Sequence, residues 1–357
     1  MSRPGEQLWD TLLQAGLVQG EAPATDRMIA SPWYVKGILA FSGWLAALFL
    51  LGFVGVGLQF IIESGPASFM AGGVMMGAAY AVLRIPKNEF VEHLALAMSI
   101  AGQALAVWGF YGILDTHGAL LWALVVFLEA LLAVIMPNDV HRVLSAYAAA
   151  ISFAMTLACM RQPYLAQGLV MLLAAWIWLN EFRYPRYTRR LRAIGYGVVI
   201  ALIQLTGMTL FFYESMGWLI DYGPQEALLP PWLGEAASGA VMLYVVWKLL
   251  PRVGLRPADP RALTILLSTL LFCGVSLEAH GLTAGMTILL LGFAGGNRVL
   301  LGLGIAALLC YLSSYYYLLE RTLLYKSVTL LMVGAVLLAV RWLLLRVAFR
   351  PKGAIDG

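Results

Sequence analysis

The chain has few charged residues and no long polar stretch. Only 12% of its 357 residues are charged, whereas 61% are hydrophobic. A soluble globular domain has about a quarter charged residues, so this composition excludes a sizeable soluble domain. The three cysteines, Cys159, Cys273 and Cys310, all lie in apolar segments. They indicate small buried side chains in preference to a disulfide framework or a metal site.

Motifs for nucleotide-driven or hydrolytic chemistry are also missing. The sequence contains no P-loop, no dinucleotide fingerprint, no HExxH or GxSxG motif, and no haem or iron–sulfur spacing. This argues against ATP-driven work within the chain, and we predict no catalytic residues and no cofactor. The net charge is +4, but the basic residues are distributed as in a membrane protein. We therefore predict no nucleic-acid partner.

Long apolar segments make up most of the sequence. Runs of ~18–20 apolar residues indicate membrane spans. Some segments are short, since a helix of about 14 residues covers only about 21 Å of a roughly 30 Å hydrocarbon core. The sequence therefore predicts an all-α polytopic transmembrane helix bundle of about 12 spans, with a range of 10–12. The twelve segments are 37–62, 67–83, 94–114, 119–136, 143–160, 165–179, 193–213, 237–250, 263–277, 283–296, 299–318 and 323–345.

The basic residues are distributed unevenly between the segments. If the N-terminus is cytoplasmic, all but three of the 23 lysines and arginines fall in the head, the tail and alternate connections on the cytoplasmic side. The exceptions are Arg161, Arg321 and Lys326. Because cytoplasmic loops are enriched in Lys and Arg, this distribution predicts an even number of spans with both termini cytoplasmic.

Polar connections divide the chain into parts. Residues 1–30 form a polar head whose apolar residues recur at helical spacing, which predicts an amphipathic helix at the membrane surface. The arginine-rich connection 180–192 separates a first six-helix half, residues 31–192, from a second half, residues 193–350. Residues 351–357 form a tail.

The connection 214–236 is acidic and is predicted to lie on the outer side. It contains Glu214, Asp221, Glu226 and Glu235 and no basic residue. Its aromatic residues favour a position at the lipid–water boundary. It is therefore a candidate surface for docking a partner.

Glu129 lies near the middle of the fourth apolar segment. A charged carboxyl at that depth costs several kcal/mol when it is exposed to lipid, so the side chain must face the bundle, form a pair or stay protonated. Gln103 lies at a similar depth on the neighbouring segment and is a candidate hydrogen-bond partner across the helix pair. Glu129 is either a proton- or ion-coupling group or a polar staple between two helices.

Three acid-x-His pairs end at His117, His141 and His280. His117 and His280 are predicted on the outer face, where they are weak candidates for a shared metal or proton site. The alternative is that all three pairs are ordinary polar ends of loops. Four ligands with metal-site spacing are not visible in the sequence.

A glycine-rich run interrupts the apolar pattern of the second half. Gly292, Gly295, Gly296, Asn297 and Arg298 favour a tight turn or unwound backbone. Transporters use broken helices of this kind to expose backbone groups to a substrate. The alternative is a short hairpin turn between two spans.

A second dense patch lies at the predicted outer end of the eleventh segment. It either binds an anionic head group or substrate, or forms an aromatic belt with snorkelling bases. Its residues are Tyr315, Tyr316, Tyr317, Glu320, Arg321 and Lys326.

Glycines four residues apart predict close helix packing without chemistry. Two such pairs are Gly73 with Gly77 and Gly281 with Gly285. Small residues at this spacing allow helix backbones to approach one another in a membrane.

Several stretches resemble a bacterial membrane family called domain of unknown function 4401. They are Ser31–Lys36, Gly43–Leu51, Gly102–Leu105, Gly292–Gly304, Leu312–Tyr317 and Thr322–Ser327. The resemblance runs over most of the chain and implies a multi-pass protein of the bacterial inner membrane. It also implies partner membrane proteins encoded nearby, and it brings no established activity.

Two hypotheses for the function remain. The first is a transporter or permease for a small solute or a lipid-linked molecule that uses Glu129, Gln103 and the run 292–298. The second is a non-catalytic membrane scaffold subunit of an envelope complex, with 214–236 as a docking surface. A membrane transferase acting on lipid-linked sugars is a weaker third hypothesis, because such enzymes usually need a large outer loop with catalytic acids.

Overall fold

The computed structural model of the protein is helical and contains no strand within the residues that it describes. These are residues 11–16, isolated positions between 38 and 56, and 59–85, 89–114, 118–211, 227–256, 258–277, 281–318 and 323–343. Most of the predicted head and acidic loop, part of the first apolar segment and all of the tail lie outside the described residues.

Eleven helices follow one another in these ranges, after a short helix at Gln59–Glu63. Each overlaps one predicted apolar segment, because a helix satisfies its own backbone hydrogen bonds where no water is available. They are α1 (Gly65–Leu83), α2 (Glu89–Leu114), α3 (Ala119–Ile135), α4 (Asp139–Cys159), α5 (Leu165–Leu179), α6 (Thr188–Phe211), α7 (Trp232–Leu249), α8 (Pro260–Ser276), α9 (Leu282–Ala294), α10 (Arg298–Leu318) and α11 (Leu323–Leu343).

By length and composition, five helices among the described residues could cross a membrane. Five further apolar helices have only 10–17 residues. The predicted all-α fold is thereby confirmed, and five candidate spans are consistent with a membrane protein, whereas the predicted count of about twelve crossings exceeds the five helices that qualify. The five are Gly65–Leu83, Phe90–Leu114, Asp139–Cys159, Pro185–Met208 and Trp232–Val253.

Interhelical contacts bring several basic connections to one end of the bundle. Arg189 at the start of α6 donates to Asp139 at the start of α4, with 2.5 Å between Nε and Oδ2. Arg252, just after α7, donates to the carbonyl oxygen of Leu179 at the end of α5, at 2.9 Å. We call this the basic end of the bundle.

Glycine sets the separation of α1 and α2. A Cβ atom added to Gly72 would lie 2.5 Å from the carbonyl oxygen of Gly102 and 2.8 Å from the amide nitrogen of Ala106. A Cβ atom added to Gly73 or Gly77 would meet nothing within 4 Å among the described residues, so the structure gives no support to the packing prediction for this pair. At 3.6 residues per turn, Gly72 and Gly73 point about 100° apart, and only Gly72 faces α2.

The second predicted glycine pair does mediate packing. A Cβ atom on Gly281 would lie 3.0 Å from the ring of Tyr311, and one on Gly285 would lie 2.8 Å from the side chain of Leu308. Both neighbours belong to α10. This pair therefore lets the start of α9 approach α10, as the sequence predicts.

We predict that Gly72→Leu lowers the stability of the bundle by about 1–3 kcal/mol or more, because the new side chain overlaps the backbone of α2. Thermal unfolding of the purified protein in detergent measures this loss. Gly73→Leu is the matched control, since a Cβ atom at this adjacent position would meet no described residue within 4 Å. Equal effects of the two variants would contradict the assigned packing face.

Candidate functional site

A buried polar cluster joins α2, α3 and α4 near the basic end. Four of its members are almost fully enclosed, with exposed fractions of 0% for Ser99, 3% for Glu129, 1% for His141 and 1% for Ser145. Gln103 is partly buried beside them. We call these five residues the polar cluster. Buried polar groups of this kind require hydrogen-bond partners, so the cluster constrains how the three helices pack.

The start of α4 places His141 in the cluster. Asn138 caps the helix, and its side-chain oxygen accepts a hydrogen bond from the backbone N–H of His141 at 2.9 Å. The Asn138 amide also donates to Glu92 at the start of α2. Helical geometry then puts His141 and Ser145 one turn apart on the same face.

The partners of His141 fix its tautomer. Ser99 Oγ lies 2.7 Å from His141 Nε2, and Gln103 Nε2 lies 3.1 Å from the same ring nitrogen. The amide nitrogen of Gln103 can only donate, so His141 Nε2 accepts and the ring proton resides on Nδ1. His141 Nδ1 is 3.3 Å from Ser145 Oγ, to which it donates.

Glu129 lies at the end of this group of polar side chains. Ser145 is the polar side chain next to its carboxyl group and can donate a hydrogen bond to it. The other carboxyl oxygen, Oε2, is buried and has no hydrogen-bond partner among the described residues. The donors therefore run from Ser99 and Gln103 through His141 and Ser145 to Glu129.

The two residues that the sequence singled out share one cluster without touching. Gln103 contacts His141 and Glu129 contacts Ser145, so the candidate Glu129–Gln103 hydrogen bond is replaced by a longer connection. His141, Ser99 and Ser145 were not predicted. The four-residue spacings of 99 with 103 and of 141 with 145 were the available signal, but His141 precedes its apolar segment and resembles a loop residue.

Positive charge lies beside the cluster at the start of α4. Arg142 is 5% exposed, and its Nη1 donates to Asp139 Oδ1 at 2.7 Å. Asp139 also accepts from Arg189, so two guanidinium groups share one carboxylate. The Asp139-x-His141 pair is therefore split, with the carboxylate held by arginines and the imidazole turned into the bundle.

The glycine-rich run 292–298 forms a tight turn between α9 and α10. Gly296 has a left-handed φ of 62°, and the Asn297 N–H donates to the Gly292 carbonyl oxygen at 2.9 Å. Asn297 Oδ1 accepts the backbone N–H groups of Val299 and Leu300, both at 3.1 Å. These groups are used within the turn, which is the geometry of the hairpin alternative.

The turn is also anchored to α6. Tyr196 Oη donates to Asn297 Oδ1 at 3.0 Å. Gly292 is in close contact with α10, because a Cβ there would lie 2.6 Å from the Leu301 amide nitrogen. Gly295 is half-buried and Arg298 is exposed at the start of α10.

The remaining candidates fall largely outside the described residues. His117, His280, Glu320 and Arg321 are not described. Tyr315, Tyr316 and Tyr317 lie in α10 and Lys326 in α11, with only their backbone described. Within the described part of the chain, no group of three or more His, Cys, Asp or Glu residues could hold a metal ion.

A second buried carboxyl group lies at the end of the bundle opposite the basic end. Glu235 was expected in the outer loop, but α7 begins at Trp232 and buries Glu235 to 5% exposure. Its Oε1 accepts from Gln167 Nε2 and from the Gly281 N–H, both at 3.3 Å. Glu235 thus joins α5, α7 and the start of α9, and it is not available to a docking partner.

The geometry predicts that neutral His141 carries its proton on Nδ1. Nitrogen-15 spectra of histidine-labelled protein at about pH 8, where an ordinary histidine is neutral, distinguish the two tautomers. The His141 signals are those lost in His141→Asn. A protonated Nε2 would contradict the hydrogen-bond directions assigned to Ser99 and Gln103.

Comparison with known proteins places the chain in a family. No curated protein and no solved structure matches it. The model of one family, described as Domain of unknown function (DUF4401), matches residues 32–347. This match spans nearly the whole chain, including every residue of the polar cluster, and agrees with the resemblance seen in the sequence. The protein therefore belongs to the family Domain of unknown function (DUF4401).

Proposed function

We propose that the protein is a proton-linked permease of the bacterial inner membrane for a small solute or a lipid-linked molecule. One observation carries this proposal: a row of buried, hydrogen-bonded polar side chains around His141 leads through Ser145 to the buried carboxyl group of Glu129. Ionisable residues within membrane segments are costly, and they commonly mark proton relays or ion pathways. The role proposed for Glu129 is to take up and release a proton.

The cluster offers a balanced route for that proton. A proton that arrives at His141 Nε2 allows the Nδ1 proton to pass to Ser145 Oγ, while the Ser145 hydroxyl proton passes to Glu129. One proton enters at the imidazole and one arrives at the carboxylate. The imidazole is then neutral with its proton on Nε2, and the starting tautomer returns when Nε2 releases that proton and Nδ1 takes one up. Histidine suits this role because one ring nitrogen can accept a proton while the other donates one.

Protonation of Glu129 would change the forces between α2, α3 and α4. A buried carboxylate disfavours its apolar surroundings, whereas the neutral acid does not. Glu129 Oε2 has no partner among the described residues to offset the charge. In this proposal, proton uptake supplies the conformational bias that coupled transport requires.

The proposed orientation places the basic end in the cytoplasm. Cytoplasmic loops of membrane proteins are enriched in Lys and Arg, and Arg183, Arg186 and Arg189 lie on or beside the connection between α5 and α6. With both termini cytoplasmic and about 12 crossings, Glu129 would draw its proton from the cytoplasmic side.

A scaffold subunit of an envelope complex is the second candidate function. The enclosure of the cluster favours it, because Ser99, His141 and Ser145 have exposed fractions of 1% or less. A hydrogen-bonded polar cluster can serve as a staple that gives three helices one relative arrangement. In this case partner membrane proteins would copurify with the chain, and no proton would bind at Glu129.

We expect Glu129→Gln to abolish proton binding at the site, because an amide cannot take up the transferred proton. Infrared difference spectra of reconstituted protein, recorded between alkaline and acidic pH, detect the carbonyl band of a newly protonated buried carboxyl group. The matched control is Glu63→Gln, which removes an exposed carboxyl group outside the polar cluster. A band that persists unchanged in Glu129→Gln would overturn the proposal and favour the scaffold.

Replacing His141 tests whether the imidazole passes protons to Glu129, separately from whether Glu129 binds a proton. His141→Asn should slow the appearance of the Glu129 band after a pH jump by roughly 10²-fold or more, since general acid–base groups contribute 10²–10⁴-fold. The final amplitude should be retained. An unaltered rate would show that protons reach Glu129 by another route.

The orientation is tested with single cysteines in a variant lacking Cys159, Cys273 and Cys310. Arg186→Cys lies at the basic end, and Leu228→Cys lies on the exposed segment before α7 at the opposite end. An impermeant maleimide applied to right-side-out vesicles should label only position 228. Inverted vesicles should give the reverse pattern, and labelling of position 186 from outside would contradict the cytoplasmic assignment.

A further inference from the structure

An apolar cavity lies beside the polar cluster, among α3, α4, α5 and α6. Its volume is about 410 Å³, within the roughly 300–1,000 Å³ typical of small-molecule sites. The cavity exists because alanines occupy positions where larger side chains would fill the space. These are Ala130 and Ala133 of α3 and Ala146, Ala149 and Ala150 of α4.

The mouth of the cavity faces the outside of the bundle. Of its lining residues, Val134 is 56% exposed, Leu169 43% and Leu173 46%. Within a membrane, apolar side chains exposed in this way face lipid chains. An occupant would therefore enter sideways from the hydrocarbon phase, and it must be apolar over most of its length.

One wall of the cavity leads directly to an arginine. Ile194 and Val198 of α6 line the cavity, and Arg190 lies four residues before Ile194. Helical spacing puts the three residues on one face, with Arg190 one turn nearer the basic end. Arg190 is exposed, and its guanidinium group lies 5.9 Å from the centre of the Tyr187 ring.

The wall formed by α4 has the same arrangement. Ala146 and Ala150 line the cavity, and Arg142 lies four residues before Ala146. Arg142 and Arg189 share the carboxylate of Asp139. Arg190 adds a third guanidinium group near this end of the cavity. These three positive charges exceed the single negative charge of Asp139.

From this juxtaposition, we propose that the cavity is a lipid-binding site that holds the alkyl chain of a phosphate-headed membrane lipid, with the phosphate at Arg190. An apolar slot open to the hydrocarbon phase matches the chain, and an exposed arginine one turn beyond it matches the phosphate. Basic pockets between membrane helices bind anionic lipid head groups in this way. The site does not depend on proton uptake, since Glu129 is not among the lining residues.

The test uses the full chain reconstituted in phosphatidylcholine vesicles that contain a trace of phosphatidylglycerol with a photoactivatable acyl chain. Illumination should attach the probe to peptides of α3, α4 and α6. Ala130→Phe fills the cavity mouth and should reduce this labelling about fivefold or more. Arg190→Gln should reduce it about fivefold, the equivalent of ~1 kcal/mol for one basic residue at the membrane surface.

Two controls match these variants. Ala123→Phe changes another exposed alanine of α3 that does not line the cavity, and Arg186→Gln removes an exposed arginine of the connection before α6. Both should leave labelling unchanged. A phosphatidylcholine probe, whose head group has no net charge, should respond to Ala130→Phe but not to Arg190→Gln.

The outcomes separate the two parts of the site. Labelling that is equal in Ala130→Phe and Ala123→Phe overturns the chain-binding cavity. Labelling by phosphatidylglycerol that is equal in Arg190→Gln and Arg186→Gln overturns the phosphate contact. All four substitutions are at exposed positions, and thermal unfolding verifies that each variant remains folded. The readout is binding alone, so it can fail or succeed independently of proton uptake at Glu129.

Discussion

Burial of the Glu129 carboxyl group is the constraint on which the arrangement of α2, α3 and α4 depends. A carboxyl group in apolar surroundings needs hydrogen-bond donors, and the same helix bundle must supply them. Ser145 supplies one, and its own position is set by His141 one turn earlier. The imidazole in turn requires donors at Nε2, which come from α2. Displacing any of the three helices would leave a buried polar group unsatisfied.

Helix α4 has a polar face and an apolar face. The face that carries His141 and Ser145 supplies hydrogen bonds to α2 and α3, whereas the face that carries Ala146 and Ala150 is apolar and borders a cavity. Its N-terminus adds a third property, because Asp139 is shared by two arginines. Proton exchange and lipid binding, as proposed, would therefore meet on adjacent faces of one helix, close to the same charged end.

Particular residues show which features of the structure could be predicted from the sequence and which could not. The depth of Glu129 in an apolar run was enough to identify it, because carboxyl groups are rare at such positions. His141 was missed, since it precedes its apolar run and enters the helix only through the Asn138 cap. Glu235 was assigned to an acidic loop, yet α7 begins three residues earlier and buries it. Gly72 escaped notice beside Gly73, because the sequence does not say which face of α1 meets α2.

The sequence by itself determined that the chain is a bundle of apolar helices suited to a membrane. That inference needs only composition and run length, because long apolar segments in a membrane must satisfy their backbone hydrogen bonds internally. Tertiary structure decided which polar groups meet. Ser99 and His141 are 42 residues apart, and Gln167 and Glu235 are 68 apart. In a helix that is apolar on every side, the sequence does not show which face contacts a neighbouring helix. Which of these distant polar residues meet is therefore decided by the packing of the helices.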